Sequence, residues 1–233
     1  MRTVVVVPTY NERESLPVFV EKLRQCASDV DALIVDDNSP DGTGQVAEEL
    51  SKQGGNRIHV LHRDRKEGLG RAYIAGFGKA LEMGYDIILQ MDADLSHDPC
   101  YIPAFLERIR ECGLVLGSRY VDGICVVHWD FRRLLLSKAA TKYVQIVTGM
   151  RFTDTTGGFK CWRADTLRSI GLENVFSNGY LFQVEMTYRT FRKGHRIDEI
   201  PIIFYERNLG RSKMHWRIIW EALWGVVRLR MLG

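Results

Sequence analysis

Short apolar runs closed by polar turns alternate with longer amphipathic stretches through the first half of the chain. Thr3–Val7 is a β-branched run ending at Pro8, and Ala32–Val35 is a second that runs into the acidic turn Asp36-Asp37-Asn38-Ser39-Pro40-Asp41-Gly42. Both have the character of buried strands. Between them Leu16, Phe19, Val20 and Leu23 recur at helical spacing, and the pattern returns over Val46–Leu50, ahead of a short strand at Ile58–Leu61. Leu69, Tyr73, Phe77 and Leu81 predict another amphipathic helix, followed by strands at Ile87–Leu89 and, after a further helix, Leu114–Leu116. This alternation predicts an α/β fold with a mostly parallel, doubly wound sheet. Such sheets bind ligands beyond the carboxyl ends of their strands, where Pro8–Glu12, Asp36-Asp37 and Asp92–Asp94 all fall.

Beyond Arg119 the order is less regular: a loop through Asp122-Gly123, a long helix over about Phe131–Val147, and a turn at Asp154–Phe159. The last segment, Met214–Leu232, sets Trp216, Ile219, Trp220, Leu223, Trp224, Val227 and Met231 on one broad helical face. Such a helix can pack on the domain, lie on a membrane surface, or do both. The expected division is a domain over residues 1–212 and a basic, Trp-rich amphipathic helix over 213–233.

Composition narrows the function classes. The 233 residues are 45% hydrophobic and 26% charged, as in an ordinary globular protein. A formal net charge of +3 is too small for a general nucleic-acid binder. The 5 cysteines are widely spaced, without a CxxC pair, which points to reduced thiols in a cytoplasmic setting. No apolar run reaches the roughly 20 residues of a membrane span, and the N-terminus lacks the layout of a signal peptide. The stretch from Arg207 onward nevertheless carries six basic residues against one acidic residue, a balance that favours anionic headgroups.

The strongest chemical signal is Ile87–Asp94, an apolar strand that delivers Asp92 and Asp94 at its exposed end. A D-x-D pair suits a hard divalent cation, Mg²⁺ or Mn²⁺, shared with a substrate diphosphate; Ser96 is a candidate third ligand. Pro8-Thr9-Tyr10-Asn11-Glu12 adds a flat ring and a carboxylate, which suit a nucleobase and ribose. His97 is a softer ligand than Mg²⁺ favours and is expected to make loop contacts. Gly68-Leu69-Gly70 lacks the following residues of a phosphate loop and reads as the start of a helix.

V-P-T-Y-N-E (7–12), V-D-D-N-S-P-D-G-T (35–43), M-D-A-D-L-S-H (91–97), G-S-R-Y (117–120), W-D-F-R-R (129–133) and G-R-S-K (210–213) together resemble the family 2 glycosyltransferases. More narrowly they are similar to polyprenol-phosphate, or dolichol-phosphate, mannosyltransferases. The resemblance implies the GT-A nucleotide-sugar fold. It also implies that Pro8, Tyr10, Glu12, Val35 and Asp37 hold the nucleoside of GDP-mannose, while Asp92, Ala93 and Asp94 hold its diphosphate through the metal. Arg119, Arg133, Arg207 and Lys213 match basic positions that meet phosphate: Arg119, Arg207 and Lys213 on the donor, and Arg119, Arg133 and Lys213 on the acceptor. Asp94, Arg119 and Arg133 are the expected catalytic set. Asp154 and Glu185 fall where relatives carry acids and are expected to position arginines or the fold.

A polyprenyl phosphate is already anionic at neutral pH, so it can attack the anomeric carbon without a general base. In-line attack inverts the configuration, and an α-linked donor then yields a β-mannosyl phosphate lipid. The alternatives are another hexose, a saccharide acceptor served by Asp154 or Glu185 as base, and a non-catalytic subunit that binds nucleotide sugar. A nucleotidylyltransferase would carry a Gly-rich loop after the first strand, and P-T-Y-N-E is not one. Peripheral attachment to the cytoplasmic face of a membrane, or recruitment by a membrane-embedded partner, completes the expectation.

Overall fold

A computed structural model describes residues 1–205 and 216–232, with the side chains of the last helix described from Leu223 to Met231. The elements run β1 (Thr3–Thr9), α1 (Ser15–Cys26), β2 (Asp31–Asp36), α2 (Thr43–Gly54), β3 (Ile58–His62), α3 (Leu69–Glu82), β4 (Ile87–Gln90), α4 (Ile102–Arg108) and β5 (Leu114–Ser118). The second half adds β6 (Val126–Val127), α5 (Phe131–Thr148), β7 (Lys160–Arg163), α6 (Ala164–Ser169), α7 (Gly179–Arg192), β8 (Ile197–Pro201), β9 (Phe204–Tyr205) and α8 (Trp216–Leu232).

Seven strands form one sheet in the order β3-β2-β1-β4-β7-β5-β8. All its pairings are parallel except those of β7, which runs antiparallel to β4 and β5. β1 pairs with β2 through Thr9 and Asp36, and with β4 through Val6 and Gln90. The loops after β1, β2 and β4 therefore open on one edge. α1 buries Leu16, Phe19, Val20 and Leu23 on one face of the sheet, each worth about 1.5–3 kcal/mol of apolar transfer. α3 buries Tyr73, Phe77 and Ala80 on the other face. Gly76 lets α3 press onto the strands, since a methyl there would overlap Val6 and Val35.

A third apolar cluster joins α5, α7 and α8 through Val144, Leu181, Val184, Tyr188, Val226 and Leu229. Tyr143 Oη donates to Leu223 O at 2.9 Å, fastening α5 to α8. The inward face of α8 thus runs through Val226 and Leu229, which were not on the expected apolar stripe, whereas Trp224 and Met231 of that stripe point outward at 69% and 76% exposure. No helix among the described residues is long and apolar enough to cross a membrane.

The cysteines correct an expectation. Cys26, at the end of α1, and Cys100, after β4, are joined by a disulfide across 74 residues of sequence, with Cα atoms 4.8 Å apart. Cys112, Cys125 and Cys161 remain thiols. Sequence spacing concealed the pair because it forms only when α1 lies beside the turn following β4.

Candidate active site

The loops after β1 and β2 are tied to each other by their own polar residues. Asp36 accepts from Ser39 Oγ at 2.5 Å, Asn11 N donates to Ser39 Oγ at 3.2 Å, and Glu12 N donates to Thr43 Oγ1 at 2.9 Å. Asp41 accepts from the amide and hydroxyl of Thr43, and these bonds hold its carboxyl below the usual carboxylate range. Much of the V-D-D-N-S-P-D-G-T motif therefore shapes the turn.

Within that frame Pro8, Tyr10 and Glu12 are half-buried, while Val35 has its side chain in the core. The ring of Tyr10 lies 3.6 Å beneath the ammonium of Lys66. Asp37 is 4% exposed and ion-paired with Arg63, which also reaches Glu67 at 2.7 Å. Burial raises the Asp37 carboxyl even against the pull of Arg63. Arg63 and Lys66 thus pair with Asp37 and Tyr10, respectively, beyond the sheet edge.

β4 carries the D-x-D pair to the same edge. Asp92 and Asp94 are half-exposed, with the side chain of Ala93 turned into the core. Tyr73 Oη donates to Asp92 Oδ1 at 2.8 Å, and burial followed by the charge of Asp92 holds that phenol well above its ordinary value. Ser96, expected as a metal ligand, instead donates its hydroxyl and its amide to Asp94 Oδ1, at 2.5 and 3.0 Å. It is 3% exposed, with its hydroxyl directed at Asp94. His97 is buried against Phe159 and Phe204 and receives the Asp92 amide on Nδ1 at 3.5 Å. Burial lowers its pKa, against the pull of Asp92 and Asp94. Two carboxylates supplying hard oxygen donors fit Mg²⁺ or Mn²⁺.

Arg119, at the end of β5, was expected to meet phosphate as a cation. It is 7% exposed, donates through Nε and Nη2 to Asp154 at 2.6 and 2.7 Å, and reaches Thr156 Oγ1 at 2.9 Å. Burial opposes both charges, but their mutual attraction wins, raising Arg119 and lowering Asp154 from their ordinary values. Glu199 secures this turn by accepting from Thr153 N and Asp154 N. Trp129 lies between two cations, 5.2 Å from the Arg119 guanidinium and 4.3 Å from that of Arg133. Glu185 is likewise consumed, accepting from Ser177 N at 2.9 Å and from Arg189 Nε at 2.8 Å. Arg207 and Lys213 lie outside the described residues.

Residues 4–171 match the family described as glycosyl transferase family 2. The chain belongs to that family. Among curated proteins this glycosyltransferase is 50% identical to an undecaprenyl-phosphate mannosyltransferase of Micrococcus luteus, over 98% of this chain and 93% of that protein. It is 44% identical to a polyprenol monophosphomannose synthase of Mycolicibacterium smegmatis, over 100% of this chain and 88% of that protein. Among solved structures, glucosyl-3-phosphoglycerate synthase from Mycobacterium tuberculosis, in complex with Mn²⁺, uridine-diphosphate and phosphoglyceric acid, aligns with a TM-score of 0.69 at 16% identity. It covers 99% of this chain and 78% of that one. A mannosyltransferase from Pyrobaculum calidifontis in complex with GDP-Man and Mn²⁺ aligns at 0.64 and 19% identity, covering 93% of this chain and 60% of that one. The GT-A fold expected from the motifs is the fold of this family 2 glycosyltransferase.

Two buried polar residues of the glycosyltransferase, Tyr73 and Lys160, carry no motif. Tyr73 reads in sequence as one more apolar position of α3, yet a Phe would fill that place equally well, and the hydroxyl is the signal that it does more. Lys160 on β7 is wholly buried, donating to Gln183 O at 2.6 Å and Thr187 Oγ1 at 3.0 Å, and burial pushes its pKa down to about 7. The spacing from Gly158 to Lys160 hints at neither.

Proposed function

We propose that the enzyme transfers mannose from GDP-mannose to a polyprenyl phosphate with inversion, using Mg²⁺ or Mn²⁺. The observation that carries this reading is the fate of the two acids that could serve as a base. Asp154 is bound to Arg119 and Glu185 to Arg189 and Ser177, so neither is placed to take a proton from a saccharide hydroxyl. An acceptor that arrives ionised needs no base, and a phosphate monoester does so. The two relatives whose names specify polyprenyl-phosphate mannosylation match almost the whole chain and support the same acceptor class.

In this reading Tyr10, Pro8, Glu12 and Asp37 hold the nucleoside, with Val35 contributing through its main chain. Asp92 and Asp94 hold the metal. When bound, the ion neutralises the diphosphate and stabilises the departing GDP. Arg133, against Trp129, faces the acceptor phosphate, and Arg119 with Asp154 keeps the Trp129 wall in place. Arg207 and Lys213 supply further cations to the phosphates.

The acceptor's chain points to a membrane surface. An ordinary surface helix turns its polar stripe outward, but α5 turns out Phe131, Leu135, Ala139 and Ile146, with Lys142 among them. Its neighbour α8 turns out Trp224 and Met231 beside Arg228 and Arg230. Apolar rings between cations suit an interface with anionic lipid, and the enzyme works there as a peripheral protein, alone or with a membrane-embedded partner.

The decisive assay is transfer of labelled mannose from GDP-mannose into organic-extractable lipid, with polyprenyl phosphate and Mg²⁺ or Mn²⁺. Metal-dependent label is the expected result. Transfer to a saccharide in place of the lipid would overturn the acceptor, and transfer only from another nucleotide sugar would overturn the donor.

A further inference from the structure

We propose that Tyr73 is a positioning residue for metal binding: its hydroxyl fixes the rotation of the Asp92 carboxylate, so that the D-x-D pair is set before the cation and diphosphate arrive. The inference rests on the metal reading above and goes beyond it by assigning the job to a side chain outside every motif.

The geometry leaves Tyr73 little freedom. α3 is pressed onto the sheet at Gly76, and one turn earlier Tyr73 lies at the carboxyl edge of the strands, wholly buried. Its ring stacks on Phe77 at 5.7 Å and on Phe182 of α7 at 5.8 Å, with interplanar angles of 25° and 3°. A ring confined in this way can aim its hydroxyl in one direction, and at 2.8 Å that direction meets Asp92 Oδ1. Burying a hydroxyl among aromatic rings is unfavourable unless it is paired, so packing alone gives no reason for Tyr over Phe. On the other side of the carboxylate, His97 Nδ1 stands 4.0 Å from Oδ2, and Gly158 approaches the same oxygen closely enough that a Cβ there would lie in van der Waals contact with it, at 3.4 Å. The Asp92 carboxylate thus takes a hydrogen bond from Tyr73 on one oxygen and lies beside His97 and Gly158 on the other. Hydrogen-bond partners of metal ligands typically contribute about 10–100-fold to metal affinity.

Tyr85 supplies a matched control. It is equally buried and donates to Asp31 Oδ2 at 2.7 Å, but Asp31 opens β2 at the opposite end of the sheet. The experiment is Mn²⁺ titration followed by electron paramagnetic resonance on the full-length protein with GDP present, for wild type, Tyr73→Phe, Tyr85→Phe and Asp92→Asn. Thermal melts and steady-state assays at varied Mn²⁺ accompany it.

Tyr73→Phe keeps its ring stack and is expected to bind Mn²⁺ about tenfold more weakly or worse. Its apparent KM for Mn²⁺ rises in step, while kcat recovers at high Mn²⁺. Tyr85→Phe binds Mn²⁺ as wild type does, although it loses the same kind of hydrogen bond. Asp92→Asn loses the site. If Tyr73→Phe matches wild type while Asp92→Asn does not bind, the metal reading stands and the role of Tyr73 is refuted. If both Phe variants weaken Mn²⁺ binding in proportion to their melting temperatures, the effect is general destabilisation and the proposal falls. If wild type itself takes up no Mn²⁺, the metal reading fails and Tyr73 with it.

Discussion

Two sets of carboxylates stand at one edge of the sheet and have been put to opposite uses. Asp92 and Asp94 are half-exposed, and each has a hydroxyl among its partners, that of Tyr73 for Asp92 and that of Ser96 for Asp94. Asp154 is 1% exposed and is held by a guanidinium, that of Arg119. A hydroxyl orients a carboxylate without cancelling its charge, whereas a guanidinium in a buried, bidentate pair neutralises it and locks both partners. Exposure separates the two sets: the half-exposed acids keep a face toward solvent, whereas Asp154 is closed into the wall with its arginine. The contrast implies that damage to the first set appears in activity, and damage to the second in stability.

The largest effect expected is on the exposed set. Asp94→Asn should lower the transfer rate by about three decades, about 4 kcal/mol of transition-state stabilisation, with little change in melting temperature. Near-wild-type turnover would remove the distinction. Asp154→Ala should do the reverse: it strands Arg119 without its carboxylate and is expected to cost about 3 kcal/mol of folding stability, read by chemical denaturation. A variant as stable as wild type would show that the buried pair is not the wall.

Lys160 sharpens the same contrast through pH. Its pKa falls from 10.5 to about 7 on folding, so between these values the unfolded chain holds a proton that the folded chain has released. Stability of wild type relative to Lys160→Met should therefore rise with pH across that window, by at most about 1.4 kcal/mol per pH unit. Below it both states are protonated and the difference should be flat. Denaturation curves that show no pH-dependent difference would mean that the ammonium is better solvated than its burial implies. The smallest effect belongs to Ser96→Ala, which loses one hydrogen bond to Asp94 and should weaken Mn²⁺ binding by about 1 kcal/mol. A loss as large as that of Asp94→Asn would restore Ser96 as a ligand.

Most of the first half of the chain could be read from sequence. Strands β1 to β5 and the helices between them follow apolar periodicity, and the loops that carry Tyr10, Asp37 and Asp92 fall at strand ends by the rule for α/β sheets. The second half was harder for a physical reason. β7 is only Lys160–Arg163, and its burial includes a Lys, so neither length nor apolar character announces a strand. α7 buries Gln183, Glu185, Thr187 and Thr190 as well as apolar residues, and a helix buried on most sides loses the periodicity by which helices are recognised. Arg119 shows the same limit at the level of one residue: its motif marks it as important, but only Asp154, remote in sequence, shows that it is paired.

What the sequence by itself determined is the alternation that makes an α/β sheet and the motifs that mark a family 2 glycosyltransferase, because both depend on local pattern. The tertiary structure alone decided which arginine Asp154 meets, that Cys26 meets Cys100, that Tyr73 reaches Asp92, and that α8 turns Trp224 outward. Each of these is a pairing between elements far apart in the chain, and partners, unlike periodicities, exist only once the sheet has brought them together.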